Sequence, residues 1–298
     1  MQLFDTHAHY NDEKFDLDRE EVIQQIYDSG VTKLVNAGYS LESSKKAIKI
    51  AEKYNWMYVI CGISPNDIPE SKLEIDVQLQ KLRELIIEQQ GRDHYEFSIE
   101  DRRSDKNNTV ENVDNRTEKS RNTGNKLKKI VAVGEIGLDY YWNKENKDLQ
   151  KYAFISQIEL ANELELPIVI HTREAVEDTI KILKNEANPI KRGIFHCCPL
   201  NRELVKEALK LGFYISFAGP VTFKNSKNAD EIIEMVPVEK ILIETDSPYL
   251  SPEPHRGKRN DSRNVYYMAE KIAKVKGMNI EEIAEITYKN AETIFEIL

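Results

Sequence analysis

The 298-residue sequence predicts a (β/α)8 barrel, and three observations carry that expectation. Eight short runs rich in β-branched residues alternate with amphipathic segments, as parallel strands joined by crossover helices do. Polar side chains able to bind metal fall at the C-terminal ends of several runs, where a closed parallel barrel places its functional groups. The length suits one barrel domain, 1–298, and a 40% hydrophobic fraction is enough for its core. An open doubly wound sheet is the competing arrangement.

Taken in order, the first strand is expected over 3–8, followed by an apolar helical stripe of Val22, Ile23, Ile26 and Tyr27. A second strand over 33–36 precedes the stripe Ala47, Ile48, Ala51, and a third is expected over 57–62. From 91 to 129 the rhythm stops: GRDHYEFSIEDRRSDKNNTVENVDNRTEKSRNTGNKLKK has hardly an aliphatic residue. Such a stretch cannot bury enough apolar surface to offset its ordering entropy. It reads as a flexible polar insertion between strands three and four, within the domain. The sharper alternative is an arm over the active-site mouth or a partner contact, with His94 incidental. A fourth strand, 130–134, leads to the stripe Tyr152, Ile155, Ile158, Leu160; further strands follow at 167–170, 193–195, 213–217 and 240–244. A segment over 280–298 supplies an extra C-terminal helix.

Composition narrows the function. A formal charge of −9 argues against coating nucleic acid by bulk electrostatics, although divalent cations in a cleft would reverse the local field. The compact basic stretch is His255-Arg256-Gly257-Lys258-Arg259, with Arg263 nearby. No apolar run approaches the roughly 20 residues of a membrane helix, and no signal peptide is read at the start. Three cysteines, two of them adjacent, do not form a disulfide framework and suit a reducing cytoplasm.

The chemistry begins at Asp5-Thr6-His7-Ala8-His9. Residues two apart share a face of a strand, so His7 and His9 project together, with Asp5 behind them. Further along, 131–135 ends in Glu135, 167–171 in His171, 193–196 in His196, and 240–246 in Glu244 and Asp246. These are the C-terminal ends of strands one, four, five, six and eight, which meet at one mouth. Six such groups (His7, His9, Glu135, His171, His196, Asp246) exceed what one tetrahedral ion needs, so two divalent ions bridged by a carboxylate are expected, with Glu135 as the bridge. Two ions about 3.5–4 Å apart share a water and lower its pKa. Imidazole-rich ligation suits Zn, Mn or Fe better than Mg.

In the motifs FDTHAH, GEIGLDYY, PIVIHTREA, FHC, ETDSPYL and RGKRN, in that order, the chain resembles the TatD family of metal-dependent deoxyribonucleases, within the amidohydrolase superfamily. The likeness covers nearly everything outside 91–129. Other members of the superfamily are similar in the His-x-His start but bridge their metals with a carboxylated lysine, where this chain has Glu135. The resemblance implies that His7, His9, Glu135 and Asp246 hold one ion and that Glu135, His171 and His196 hold the other. It implies that Asp246 also accepts a proton from the attacking water. It implies cleavage of DNA phosphodiesters, often from a 3′ end of single strands, with Mg²⁺ commonly supporting activity.

Around these groups, Asp5 and Glu244 are candidates to orient ligands or to serve as buried structural carboxylates. Arg173, two residues after His171, is a candidate phosphate contact. Arg256, Lys258 and Arg259 follow the eighth strand and are candidates to hold a nucleic-acid backbone. Asp139, Tyr140 and Tyr141 shape the pocket, stack on a base or simply pack; Cys198 reads as packing. Two departures from the family bear on substrate handling. Ser64 stands where a Gly-x-His-Pro histidine is usual, and Cys197-Cys198-Pro199 where a Phe-Ser-Gly-type turn is common.

The resulting expectation is a cytoplasmic hydrolase that uses two metals to cut DNA, without a membrane or an obligate protein partner. An alternative enzyme attacks an ester or amide, such as the aminoacyl linkage of a mischarged (D-aminoacyl) tRNA. A non-catalytic binding barrel would lack some of the six ligands, and none is missing.

Overall fold

The computed structural model describes residues 1–91, 128–187 and 189–297. The insertion expected over 91–129 therefore lies, from 92 to 127, outside the described residues. Its flanks do not: Gln90 and Lys128 line one depression at the strand N-termini, the end of the barrel opposite the mouth.

Eight strands form one parallel sheet in sequential order: β1 Leu3–Ala8, β2 Val31–Ala37, β3 Met57–Cys61, β4 Ile130–Asp139, β5 Ile168–Arg173, β6 Gly193–Phe195, β7 Tyr214–Phe217 and β8 Ile241–Ile243. The seam between β8 and β1 closes through a parallel bridge from Ala8 to Ser247. The His9 amide donates to the Ser247 carbonyl at 2.7 Å and the Asp246 amide to the His7 carbonyl at 2.9 Å. Sequential order and a closed seam exclude the open doubly wound sheet.

Among the described residues the α-helices are α1 Arg19–Asp28, α2 Leu41–Ala51, α3 Lys72–Gln90, α4 Lys147–Glu163, α5 Val176–Lys181, α6 Arg202–Lys210, α7 Ala229–Met235, α8 Val265–Lys276 and α9 Ile280–Phe295. Ser40, Ser71 and Asn201 begin α2, α3 and α6 by accepting from the amides of Ser43, Glu74 and Leu204, which satisfies one otherwise orphaned donor each. In α1, Val22, Ile23 and Ile26 are buried, but Tyr27 turns outward, 44% exposed, against the Trp56 ring. In α4 the buried face carries Ala153, Phe154, Gln157, Ile158 and Ala161, with Leu160 at its edge. Tyr152 and Ile155 are only half-buried, because the face is rotated from the expected stripe.

Phe4, Val35, Ile60, Val169, Ile194 and Leu242 form an inner cluster, separate from the larger core between sheet and helices. Ile294 and Phe295 of α9 pack into the same cluster and close the bottom of the barrel. Fully burying such side chains contributes roughly 1.5–3 kcal/mol apiece. The floor is therefore apolar and rigid, and polar groups are confined to the layer above it.

Strand ends match expectation to within a few residues, except at β4. There the pattern suggested a stop at Gly134, whereas the strand runs on to Asp139. Glycine permits the extension: a Cβ on Gly137 (φ +140°) would sit 2.0 Å from the His171 carbonyl oxygen, so no larger residue allows β4 and β5 to come this close.

Candidate metal centre

On β5 and β6, simple alternation aims the site. Val169 and Ile194 point into the barrel, so His171 and His196, two residues on, do so as well. β1 and β4 need a further device. Phe4 lies in the inner cluster and Thr6 Oγ1 meets Ser216 Oγ of β7 at 3.2 Å, so these residues face the interior. Strict alternation would then turn His7 away. A register shift between Asp5 and Ala8 breaks the alternation, and another between Val133 and Ile136 does the same before Glu135. Such irregularities re-aim side chains beside functional sites. Asp5 consequently does not stand behind the two histidines. It ties down Thr245, accepting from its amide at 3.0 Å and its hydroxyl at 2.5 Å. Asp246 has φ +57°, a left-handed conformation that Asp tolerates.

The six side chains converge. His7 Nε2 lies 3.2 Å from His9 Nε2, 3.5 Å from Glu135 Oε2 and 3.8 Å from Asp246 Oδ1. His9 Nε2 is 3.3 Å from Asp246 Oδ1. The other carboxylate oxygen, Glu135 Oε1, is 3.0 Å from His171 Nδ1 and 3.3 Å from His196 Nε2. Glu135 thus presents one oxygen to each imidazole pair. Donor atoms of His7, His9 and Asp246 lie within 4.8 Å of one another, as do those of His7, Glu135 and His196. Three of the imidazoles have their remote nitrogens close to an oxygen. His9 Nδ1 is 3.0 Å from the Ala37 carbonyl, His171 Nε2 is 2.9 Å from Asp139 Oδ2, and His196 Nδ1 is 3.3 Å from Glu244 Oε1. Glu244 Oε1 also accepts the Cys197 amide at 2.5 Å, so of the two candidate supporting carboxylates Glu244 faces a candidate ligand's imidazole, whereas Asp5 reaches only the His7 backbone amide, at 3.3 Å.

Electrostatics fit a cation. Burial opposes ionisation of Glu135, yet the charge of His196 and hydrogen bonds from His171, His196 and His7 hold its carboxyl well below the usual range. Burial likewise opposes charging His9, His171 and His196, but Asp246, Asp139 and Glu135 raise all three. His7 is lowered, by burial and by the neighbouring His196. The carboxylates thus favour positive charge in this cluster, which a divalent ion supplies when it displaces imidazole protons. The donor set therefore suits a metal both in atom type and in charge.

Above the cluster opens a cavity of about 1060 Å³ whose lining includes Asp12, Ser64, Asp67, Arg173, Cys197 and Tyr249. The Arg173 guanidinium stacks 3.8 Å above the Tyr141 ring centroid and 5.5 Å from that of Trp142, with no acidic partner among the described residues. Arg256, Lys258 and Arg259 do not line this cavity. Arg256 lies over the Phe223 ring at 3.9 Å, and Arg259 makes a bidentate pair with Asp18 at 2.8 and 2.6 Å. Lys258 and Arg259 border a separate depression of about 440 Å³. Cys198 is buried, with Sγ 3.5 Å from the Pro199 carbonyl, and all three cysteines are free.

Sequence reading missed the part played by Asp139. Glu135, Gly137 and Asp139 alternate along one face of β4, and extending the strand through the glycines would have revealed it.

A parallel barrel with a buried His–carboxylate cluster at its C-terminal mouth defines a class, the metal-dependent hydrolases. Comparison with known proteins makes this specific. Residues 4–296 match the family model described as TatD related DNase, and the chain belongs to the TatD family. It is 39% identical, over 99% of both chains, to YabD of Bacillus subtilis (strain 168), named an uncharacterized metal-dependent hydrolase. Among solved structures, YjjV, a TatD homologue from Escherichia coli K12, superposes with a TM-score of 0.80 at 22% identity, covering 99% of this chain and 98% of that one. A TatD family hydrolase from Entamoeba histolytica gives 0.75 at 21% identity, covering 99% and 98%. The fold is thus that of the TatD barrels, and the chain is a metal-dependent hydrolase. No described helix is long and apolar enough to cross a membrane.

Proposed function

We propose that this protein hydrolyses phosphodiester bonds of DNA, as a single catalytic barrel that binds two divalent ions. His7, His9 and Asp246 with Glu135 would hold one, and His171 and His196 with Glu135 the other; Mn, Zn and Mg are the candidates. Bound there, the ions would lower the pKa of water and neutralise charge developing on phosphate oxygens. Asp246, lowered despite its burial by the hydrogen bond and charge of His9, stays ionised and so able to accept a proton from the attacking water. Arg173 would hold a non-bridging phosphate oxygen. Arg256, Lys258 and Arg259 would follow the strand outside the cavity, Arg259 sharing itself with Asp18. Free thiols support a reducing compartment, the cytoplasm.

The observation that carries the phosphate reading is Arg173: a cation without an acidic partner among the described residues, fixed by aromatic faces at the lip of the cavity. Guanidinium matches phosphate geometry bidentately. Arg173→Ala is expected to lower kcat/KM on bis(p-nitrophenyl) phosphate about 10–100-fold, by the loss of charge-assisted hydrogen bonds, while metal content stays unchanged.

One feature favours a second reading. Ser64, in place of the family histidine, donates to Asp67 Oδ2 at 2.7 Å, and Asp67 and Asp12 both line the cavity. Carboxylates there suit the ammonium group of an aminoacyl ester. Metal-reconstituted protein offered single-stranded DNA, bis(p-nitrophenyl) phosphate and aminoacyl-tRNA separates the two. Turnover of the phosphodiesters is expected; turnover of aminoacyl-tRNA alone would overturn the deoxyribonuclease reading.

A further inference from the structure

We propose that Asp139 is a positioning residue that holds His171 in the tautomer the second metal requires, while the same carboxylate anchors the loop beneath Arg173. The inference rests on the metal centre proposed above and not on the identity of the substrate.

Asp139 is fully buried, and both of its oxygens are engaged. Oδ1 accepts the amides of Tyr141 and Trp142 at 2.9 and 3.0 Å. Oδ2 lies 2.9 Å from His171 Nε2 and 3.4 Å from Asn66 Nδ2. The backbone is clamped as well. Gln150 of α4 accepts the Asp139 amide at 2.8 Å and donates to its carbonyl at 2.9 Å. The carboxylate can therefore neither rotate nor withdraw. An acceptor fixed opposite Nε2 keeps the His171 proton there and leaves the lone pair on Nδ1, the atom 3.0 Å from Glu135 Oε1. Tyr141 and Trp142, whose amides the other oxygen holds, are the rings that carry Arg173. One buried carboxylate thus sets a metal-facing nitrogen and the floor under the Arg173 guanidinium.

Asparagine tests this, because its amide has no harmless orientation. With NH2 toward the loop, two amide donors lose their acceptor. With NH2 toward His171, Nε2 becomes the acceptor, and the proton moves to Nδ1, where it blocks the metal. A carboxylate needed only for shape would tolerate near-isosteric Asn better than Ala. A tautomer-setting one predicts that Asp139→Asn is at least as harmful as Asp139→Ala.

Calorimetric titration of the metal-free full chain with Mn²⁺ is expected to show two sites. In Asp139→Asn the site containing His171 should weaken about 10–100-fold, the usual effect of losing such an outer partner, with the other site unchanged. Nitrogen-15 NMR of the zinc-loaded wild type should find the His171 proton on Nε2. Wild-type affinity at both sites in Asp139→Asn would overturn the proposal, and so would a milder effect from Asn than from Ala. A zinc-loaded wild-type His171 protonated on Nδ1 would overturn it even if the variants failed to fold. Failure of the wild type to bind any metal would instead remove the centre itself, and failure to cut DNA would leave the Asp139 proposal standing.

Discussion

At Asp5 a carboxylate is completely buried against Thr245. Burial pushes its pKa from 3.8 up to about 7, and the hydrogen bonds it accepts only partly offset that. The fold therefore favours the protonated form, and the sign follows. The stability Asp5 contributes is fully present below pH 3.8 and is lost as pH rises through about 7. Asp5→Asn stays neutral throughout. Compared by urea midpoints in chelator at about pH 4 and about pH 8, the wild type should lose up to about 3–4 kcal/mol more than the variant, since each tenfold difference in proton affinity between the folded and unfolded chain is worth about 1.4 kcal/mol. Parallel pH curves would show that Asp5 is paired by something else. At this scale the sequence was partly legible. His171 and His196 follow apolar positions of the same parity, so their direction could be read from strand alternation. His7 and Glu135 are turned in by register shifts, which depend on how neighbouring strands pair and leave no local pattern. The same shift takes Asp5 off the face that the two histidines share.

Among the elements, β4 carries the most. It supplies Glu135 and Asp139 and passes so close to β5 that Gly137 has no room for a side chain. Gly137→Ala should push the two strands apart, separate Glu135 from His171, and cost about 2–4 kcal/mol, since a Cβ would both clash and disfavour the positive φ. Thermal melts and metal titration check this together; wild-type melting with two intact sites would mean that β4 yields more easily than its contacts imply. Glycine usually ends a strand, which is why the sequence pattern stopped β4 at Gly134. Its continuation depends on backbone from β5 filling the space above Gly137, a tertiary fact. Tyr27 departs in the opposite direction: the apolar period is real, but Val22, Ile23 and Ile26 already cover the buried face of α1.

For the molecule as a whole, the thinnest part of the barrel is the seam. Short β8 meets β1 without a ladder, through one bridge, the bonds from His9 to Ser247 and from Asp246 to His7, and the side-chain bonds from Thr245 to Asp5 and from Thr6 to Ile243. His7 and His9 stand on one side of it and Asp246 on the other, so an ion held by all three, as proposed, would fasten the seam. A ligand that binds only the folded state stabilises it by mass action. Chelation should therefore lower the melting temperature and speed hydrogen exchange at the His9 and Asp246 amides more than at β5. Equal acceleration everywhere would show that the ion supports the barrel without closing it. The eightfold strand pattern makes the barrel legible but not the weakness of its seam, which depends on how β8 and β1 pair and not on the composition of either.

The same seam has a consequence during synthesis. His7 and His9 leave the ribosome with the first strand, and Asp246 emerges only after the eighth. A nascent chain therefore carries a pair of imidazoles without the carboxylate that completes their pocket. If Asp246 acts as proposed, a translation product that stops short of it would lack both a ligand for the first ion and the group that accepts the proton of water.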